Sequence, residues 1–560
     1  MKTNFKVLLL LAMVLLAACK DDNNGGPSQQ EIKKTAEDFV TIGADFFAYD
    51  ANDLLQVNSG YAVADFSSGD DLSAVVNNAK ESGNIVCGER DWEGNYVYHS
   101  MKHFGNVDEA KEYATANGAE ACLNLDAKTW WPFYYDEKFK DNQTVTDGGV
   151  TIKCMPEKYY FVTLDFRGKT NKEIGLSYGK CISKLPVYYT TRVALYVNFG
   201  ADQLDIDDIA ERAATVSKAL DQEDRDLMDG IAEGLKASWL TYSLRRELMY
   251  CANLVPDVLR PTACSAFGVM PEMSATGKTM VYRTLDWPDG IDEYNLFPDG
   301  RKGIVSPLQS ITKMIFSDRT IYSFGMLGIV CAVTSIDATN GNMVAILDSD
   351  SGEPYTCQGK RSYVFDLSHA LEVCTTIDDI SEYMGSSDHN YTYNHLLLMA
   401  DSEEVGIFEN NVSGKGEYPQ RAMRNWNSPL GDQFEGWDWG YDYIIGAVNC
   451  FMLNGQQDNF RRDAAACNPA RLLQMQSKTA GILDAKPEGS RKLTSDDLLA
   501  IQKTHNATLN PKLFDNLYNY NTLQMIQYIP EDNVVRVHLK SFNGTPVADP
   551  AFFSLTLTED

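Results

Sequence analysis

The stretch Arg260-Pro-Thr-Ala-Cys264-Ser-Ala-Phe-Gly268, followed by Lys278-Thr-Met-Val-Tyr-Arg283-Thr-Leu-Asp286-Trp287, holds the densest chemistry in the chain. A cysteine opens one β-rich run, Pro271–Gly277 reads as a turn, and a second run returns to Arg-x-x-Asp. Such a return can bring a thiol, a guanidinium and a carboxylate together. Arg and Asp three apart are commonplace, and an exposed pair of that kind is worth little. The cysteine about twenty residues upstream, after a proline and small residues, makes the grouping informative.

Working outward, Asn342–Leu347, His395–Met399, Val405–Glu409, Leu523–Ile529 and Val534–Leu539 are short β-rich runs. Asp401–Glu404 and Pro530–Asn533 are turn-like links between them. Helical patterns cover 363–385 and 494–503. On the other side, Ile209, Ala213, Val216 and Leu220 recur at spacings of 4, 3 and 4, and Leu227, Ile231 and Leu235 continue at 4. That predicts two amphipathic helices, separated by the acidic break Asp221–Asp224. Ile32–Phe47 has helical spacing as well. Residues 50 to about 160 are rich in Gly, Asn, Asp and aromatics, with short alternating stretches that suggest strands and no readable function. The chain is α+β, with a largely antiparallel sheet.

A length of 560 residues predicts two to four folded units. A hydrophobic share of 44% excludes disorder for most of it. The net charge of −29 repels phosphate, so nucleic acid is excluded as a partner. At the N-terminus, Lys2 and Lys6 precede the apolar run Val7–Leu16 and then Leu16-Ala17-Ala18-Cys19, the pattern of a secretory signal. That run is half the roughly twenty residues needed to cross a bilayer. The small residues before Cys19 resemble a bacterial lipobox, which implies an exported outer-membrane lipoprotein attached to the membrane by a lipid on Cys19. Lys20–Ser28 is then a flexible tether, and its Lys20-Asp21-Asp22 resembles a surface-export signal of bacterial lipoproteins. Of the twelve cysteines, eleven remain after Cys19, without a CxxC pair, and most read as buried thiols. His99 and His103 stand i, i+4 on a possible helix, as two metal ligands would, but a third ligand is not in sight.

Three separated motifs together resemble the N-terminal-nucleophile hydrolases of the linear-amide group, which includes choloylglycine hydrolase, penicillin V acylase, acid ceramidase and the penicillin-forming acyltransferase. They are Cys264-Ser265-Ala266-Phe267 with Arg283-Thr284-Leu285-Asp286, the run Leu227-Met-Asp-Gly230-Ile-Ala-Glu-Gly234, and Glu173-Ile-Gly175-Leu-Ser-Tyr-Gly179. The likeness extends from about 160 to the end. It implies an αββα sandwich with antiparallel sheets, preceded by an N-terminal α/β prosegment region. The expected divisions are a signal peptide at 1–18, a tether at 19–30, a region of unknown role at 31–160, a helical prosegment at 161–263 and the catalytic domain at 264–560.

The resemblance also implies self-cleavage between Ala263 and Cys264, leaving a cysteine with both thiol and α-amine. An α-amine titrates near pH 8, suited to a general base, so neither histidine nor cofactor is needed. Cys264 is the expected nucleophile, Arg283 the cation favouring its thiolate, Asp286 the carboxylate holding the amine, and Asn449 in Gly446-Ala-Val-Asn449 the oxyanion donor. Asp337 falls where relatives carry Asn or Glu, and Arg462 or Arg471 could supply a second arginine. Trp426, Trp437 and Trp439 suit a lid over an acyl pocket. The expected activity is hydrolysis of a linear amide in an N-acyl small molecule. The alternatives are an acyltransferase using the same thioester, or a surface lipoprotein that binds without catalysis.

Overall fold

The computed structural model describes residues 46–558 except 70, 91–95, 118–120, 127–128, 133–139, 186, 200–205, 236–241, 260–262, 291–300, 349–355, 413–420, 435–438, 455–466, 506–515 and 545. The leader, Cys19 and the tether therefore lie outside the described residues. Among those described, no helix is long and apolar enough to cross a membrane.

The cysteine strand, Ala263–Val269, pairs antiparallel with the arginine strand, Met280–Asp286, in the register Cys264↔Leu285 and Ala266↔Arg283. Gly277, at φ +69°, adopts the left-handed conformation needed in the turn between them. These strands sit inside a six-stranded antiparallel sheet ordered Ile444–Ala447, cysteine strand, arginine strand, Thr522–Ile529, Val534–Leu539, Phe553–Thr556.

A ten-stranded sheet faces it. From one edge its strands are Arg421–Arg424, Val405–Asn410, His395–Ala400, Asn342–Asp348, Thr334–Asp337, Thr320–Met326, Gln309–Ile315, Tyr160–Asp165, Val150–Cys154 and Thr144–Asp147. The pairs are antiparallel except Gln309–Ile315 with Tyr160–Asp165. The cysteine strand packs on Asn342–Asp348 and Val405–Asn410. At Gly268 the approach is so close that a Cβ would stand 2.5 Å from the Val405 side chain. Helices Cys467–Asp484 and Ser495–Gln502 cover the smaller sheet, while Asn171–Ile182 and Tyr363–Val373 pack against the larger. Helix, sheet, sheet and helix thus form four layers. Every residue of Met280–Asp286 and of Asn342–Asp348 is buried, as strands covered on both faces must be.

The expected amphipathic helices are present as Ile206–Ser217 and Gln222–Gly234. The glycine motifs have a packing reason. A Cβ at Gly175 would stand 2.2 Å from the Leu227 carbonyl oxygen, at Gly179 2.2 Å from that of Ile231, and at Gly234 2.2 Å from that of Leu176. Helices Asn171–Ile182 and Gln222–Gly234 therefore touch backbone to backbone, which only glycine permits. Glu173 closes a capping box, accepting from Thr170 N at 2.8 Å while Thr170 Oγ1 accepts from Glu173 N at 3.2 Å.

The region before 140 folds as a six-stranded antiparallel sheet ordered Phe46–Asp50, Ile85–Arg90, Tyr96–Phe104, Tyr61–Gly69, Ala121–Asn124, Thr129–Pro132. With helices Leu72–Ser82 and Val107–Asn117, the inner four strands form a βαββαβ unit of the ferredoxin-like kind, one strand added at each edge. Its strand Tyr96–Phe104 meets helix Tyr242–Asn253.

Several expectations change. Phe46 and Phe47 open a strand instead of ending a helix from Ile32, whose residues 32–45 lie outside those described. His99 and His103 lie on a strand, where i, i+4 positions are roughly 13 Å apart and cannot share an ion. The 363–385 helix is two, Tyr363–Val373 and Ile377–Gly385, the second capped by Thr376. Strands Thr144–Asp147, Val150–Cys154 and Tyr160–Asp165 belong to the sandwich, so it draws on chain from both sides of position 160.

Candidate active site

The register decides which side chains meet. Cys264 lies opposite Leu285, and Arg283 lies two residues along the same strand, so sulfur and guanidinium project from one face. Asp286, opposite Ala263, belongs to the other face. Arg283 Nη2 lies 3.6 Å from Cys264 Sγ and donates to the Ile346 carbonyl oxygen at 3.0 Å. Its Nε and Nη1 have no hydrogen-bond partner among the described residues, although Arg283 is fully buried. Burial depresses its pKa, opposed by the negative charge available at Cys264, Asp286 and Asp348.

The backbone of Cys264 is held from the helix side. Its N–H donates to Asn449 Oδ1 at 2.6 Å, and its carbonyl oxygen accepts from Arg471 Nη1 at 2.7 Å. Arg471 Nη2 donates to Asn449 Oδ1 at 2.9 Å and to Asn468 Oδ1 at 2.7 Å. Two donors converging on Oδ1 turn the Asn449 amide nitrogen away, and it donates to the Asp348 carbonyl oxygen at 2.6 Å. Asn449 is therefore an acceptor at the cysteine nitrogen. Asp286 accepts from Thr522 Oγ1 at 2.6 Å and stands 3.7 Å from Arg471 Nη1, an ionic approach too long for a hydrogen bond. Burial pushes its carboxyl up to about 6, against the lowering pull of Arg471 and Thr522.

On the sulfur side lies a cavity of about 40 Å³, lined by Cys264, Arg283 and the apolar Leu285, Trp287, Ile329 and Ile346. Tyr196 and Pro256 close it from helices that precede Cys264 in the chain. Next to Pro256, Asp257 accepts from Ser362 Oγ at 2.5 Å and from Tyr363 N at 3.0 Å, and burial pushes it up to about 8. Tyr363 in turn donates to Asp348 Oδ1 at 2.5 Å and stacks on His395 at 4.0 Å. The segment before the cysteine is thus bound to the floor of the site.

Of the residues singled out in the sequence, Cys264, Arg283, Asp286 and Asn449 come together. Asp337 does not: it accepts from Thr339 N at 2.9 Å and from Asn340 Nδ2 at 2.6 Å, stabilising the turn into Asn342–Asp348. Arg462 lies outside the described residues, and Arg471 is the second arginine at the cluster. The tryptophan lid is corrected for Trp439, which packs edge-on against Phe267 at 5.7 Å, on the face of the cysteine strand opposite Sγ. Trp426 packs on Tyr443, and Trp437 is outside the described residues. Sequence reasoning missed Asn468, Thr522 and Asp348. Asn468 stands i, i+3 from Arg471 on one helix, a spacing that could have been read.

No family model and no curated protein matches the chain. Solved structures with a partial likeness in shape include a Caenorhabditis elegans ortholog of N-acylethanolamine-hydrolyzing acid amidase, aligned over 48% of this chain and 93% of its own, at 10% identity and a TM-score of 0.31. A mutant of the conjugated bile acid hydrolase from Clostridium perfringens aligns over 51% and 96%, at 10% identity and 0.28. Penicillin V acylase from Agrobacterium tumefaciens aligns over 52% and 86%, at 10% identity and 0.28.

Proposed function

We propose that this chain is a cysteine N-terminal-nucleophile hydrolase that cleaves itself before Cys264 and then hydrolyses the linear amide bond of an N-acyl small molecule. The observation that carries the reading is Arg283 Nη2 at 3.6 Å from Cys264 Sγ, on the wall of an apolar cavity, with the cysteine nitrogen held by Asn449. In self-cleavage, Sγ attacks the Ala263 carbonyl carbon, the C–N bond breaks, and the nitrogen takes the thiol proton to become the α-amine. Water then hydrolyses the thioester, releasing Ala263 as a carboxylate. In turnover, Sγ attacks the substrate carbonyl, the α-amine accepts the thiol proton and passes it to the leaving nitrogen, and water releases the acid. Asn449 Oδ1, already an acceptor at that nitrogen, would orient the amine, and the unpartnered guanidinium N–H groups would meet negative charge developing on the substrate. We propose further that the protein is exported and lipid-anchored at Cys19, with the segment up to Ala263 staying bound after cleavage.

Intact mass of the purified protein is the test. A break between Ala263 and Cys264 in the natural chain, absent in Cys264→Ala, together with amine release from N-acyl compounds, supports the reading. An unbroken, inert chain sinks it.

A further inference from the structure

The cavity beside Cys264 has two amide side chains, Gln309 and Gln524, that the hydrolysis reading does not use. Gln524 lies in one row with the nucleophile, Cys264 opposite Leu285 and Leu285 opposite Gln524. The three side chains share a face, with Gln524 two strand spacings, about 9.5 Å, from the cysteine. Gln309 begins a strand of the facing sheet and lines the same cavity. Gln309 Nε2 donates to the carbonyl oxygens of Ser306 at 3.1 Å and Lys540 at 2.7 Å, and Gln524 Nε2 to that of Gly325 at 3.3 Å. Those bonds fix each amide's orientation and leave each Oε1 as an acceptor. Neither Oε1 has a hydrogen-bond partner among the described residues, and the two side chains are 0% and 1% exposed. A buried acceptor without a donor costs stability, so its retention in an apolar wall points to a donor that arrives.

We infer that the pocket selects an apolar acyl group bearing a hydroxyl, whose O–H donates to Gln524, with Gln309 accepting from a second donor. This rests on the amide-hydrolase reading and names its substrate class: amides of hydroxylated acyl groups. About 40 Å³ is room on the scale of water and not of an acyl chain, so the occupant enters by moving side chains aside. Tyr196 and Pro256 are the lining groups that come from chain before the cleavage point, so self-cleavage removes their covalent link to Cys264. A plain acyl chain would leave both acceptors bare, which is the basis of the selectivity.

Calorimetric titration of the full chain with decanoic acid and with a series of monohydroxylated decanoic acids, differing in hydroxyl position, tests this without any turnover. At least one isomer should bind about tenfold or more tighter than the parent acid, the effect of one buried hydrogen bond. Gln524→Leu should bring that ratio close to one. Equal binding across the series, binding of none, or an unchanged ratio in both Gln524→Leu and Gln309→Leu overturns the inference. The ratio in the natural chain decides even where a variant fails to fold. Amine release from the glycine amides of the same acids is scored separately: release with no hydroxyl preference in binding breaks this inference alone, and hydroxyl-selective binding without release from the amide of the tightest-binding acid breaks the hydrolase reading alone.

Discussion

On one face of the paired cysteine and arginine strands, Sγ and a guanidinium stand in a small, largely apolar cavity, with two guanidinium nitrogens unpartnered among the described residues. On the other, Asp286 shares Arg471 and Thr522 with a network that runs through Asn449 and Asn468 to the backbone of Cys264. The two strands and the register are common to both, and the difference lies in the guanidinium: Arg471 is bonded to the Cys264 carbonyl and to two asparagines, whereas Arg283 donates to one carbonyl and keeps Nε and Nη1 unpartnered among the described residues. On the supporting face Asp286 Oδ2, Ser265 Oγ and Tyr282 Oη have no hydrogen-bond partner among the described residues, but the Arg471 guanidinium ties the Cys264 backbone to the two asparagines, so the loss of Arg471 is structural. The reacting face keeps unmet donors and acceptors, a standing cost that is useful only when charge develops or a substrate arrives. A mutation's signature should therefore tell which face it hit.

The largest effect belongs to the sulfur. Cys264→Ala should lower amide turnover by roughly 10⁴-fold or more and leave the melting temperature within a few degrees, since Cys264 is small and its backbone contacts remain. A collapse of the fold with it would erase the distinction between the faces. Next comes Arg471→Ala, which strands a buried carboxylate and removes the donors to Cys264 and Asn449. Denaturant titration should show a loss of about 3–5 kcal/mol. Arg283→Met supplies the contrast. It removes a buried, half-satisfied cation at similar volume, so stability should hold or rise, while kcat/KM falls by about 10²-fold. Equal destabilisation by Arg283→Met and Arg471→Ala would show that both faces are structural.

The parts of this arrangement that could be read in the sequence are the short-range ones. Cys264 and Arg283 are joined by one turn, so a hairpin through Gly277 was enough to predict their meeting. The glycines at 175, 179, 230 and 234 were visible as motifs, but their reason, two helices in backbone contact, is a fact about surfaces 50 residues apart. Arg471 reaches Cys264 across 207 positions and Thr522 reaches Asp286 across 236, and no local pattern announces such pairs. The strands Gln309–Ile315 and Thr320–Met326 escaped for another reason. They are buried on both faces nearly throughout, which removes the alternation that marks a half-exposed strand. Asp337 misled because a buried aspartate closing a turn has the same local context as one serving a site. Trp439 misled because its neighbour Phe267 points away from the sulfur, a parity that only the register reveals.

The smallest and most diagnostic effect is on pH dependence. Burial raises Asp286 to about 6 in the folded chain, whereas an unfolded aspartate titrates near 3.9. Below about pH 4 both states hold the proton, and above about 6 neither does. Between them the folded state alone holds it, so this group favours the fold at low pH and that contribution fades as pH rises from about 4 to about 6. Asp286→Asn keeps an acceptor for Thr522 but cannot titrate. The stability difference between the natural chain and the variant should therefore change across that interval and be flat above it. If the ionised carboxylate also positions the amine, kcat/KM of the natural chain gains a limb near pH 6 that Asp286→Asn lacks. A stability difference that is level from pH 4 to 7 would mean that Arg471 already holds Asp286 ionised throughout, making the supporting face a fixed ion pair and moving any limb in the rate profile to the reacting side.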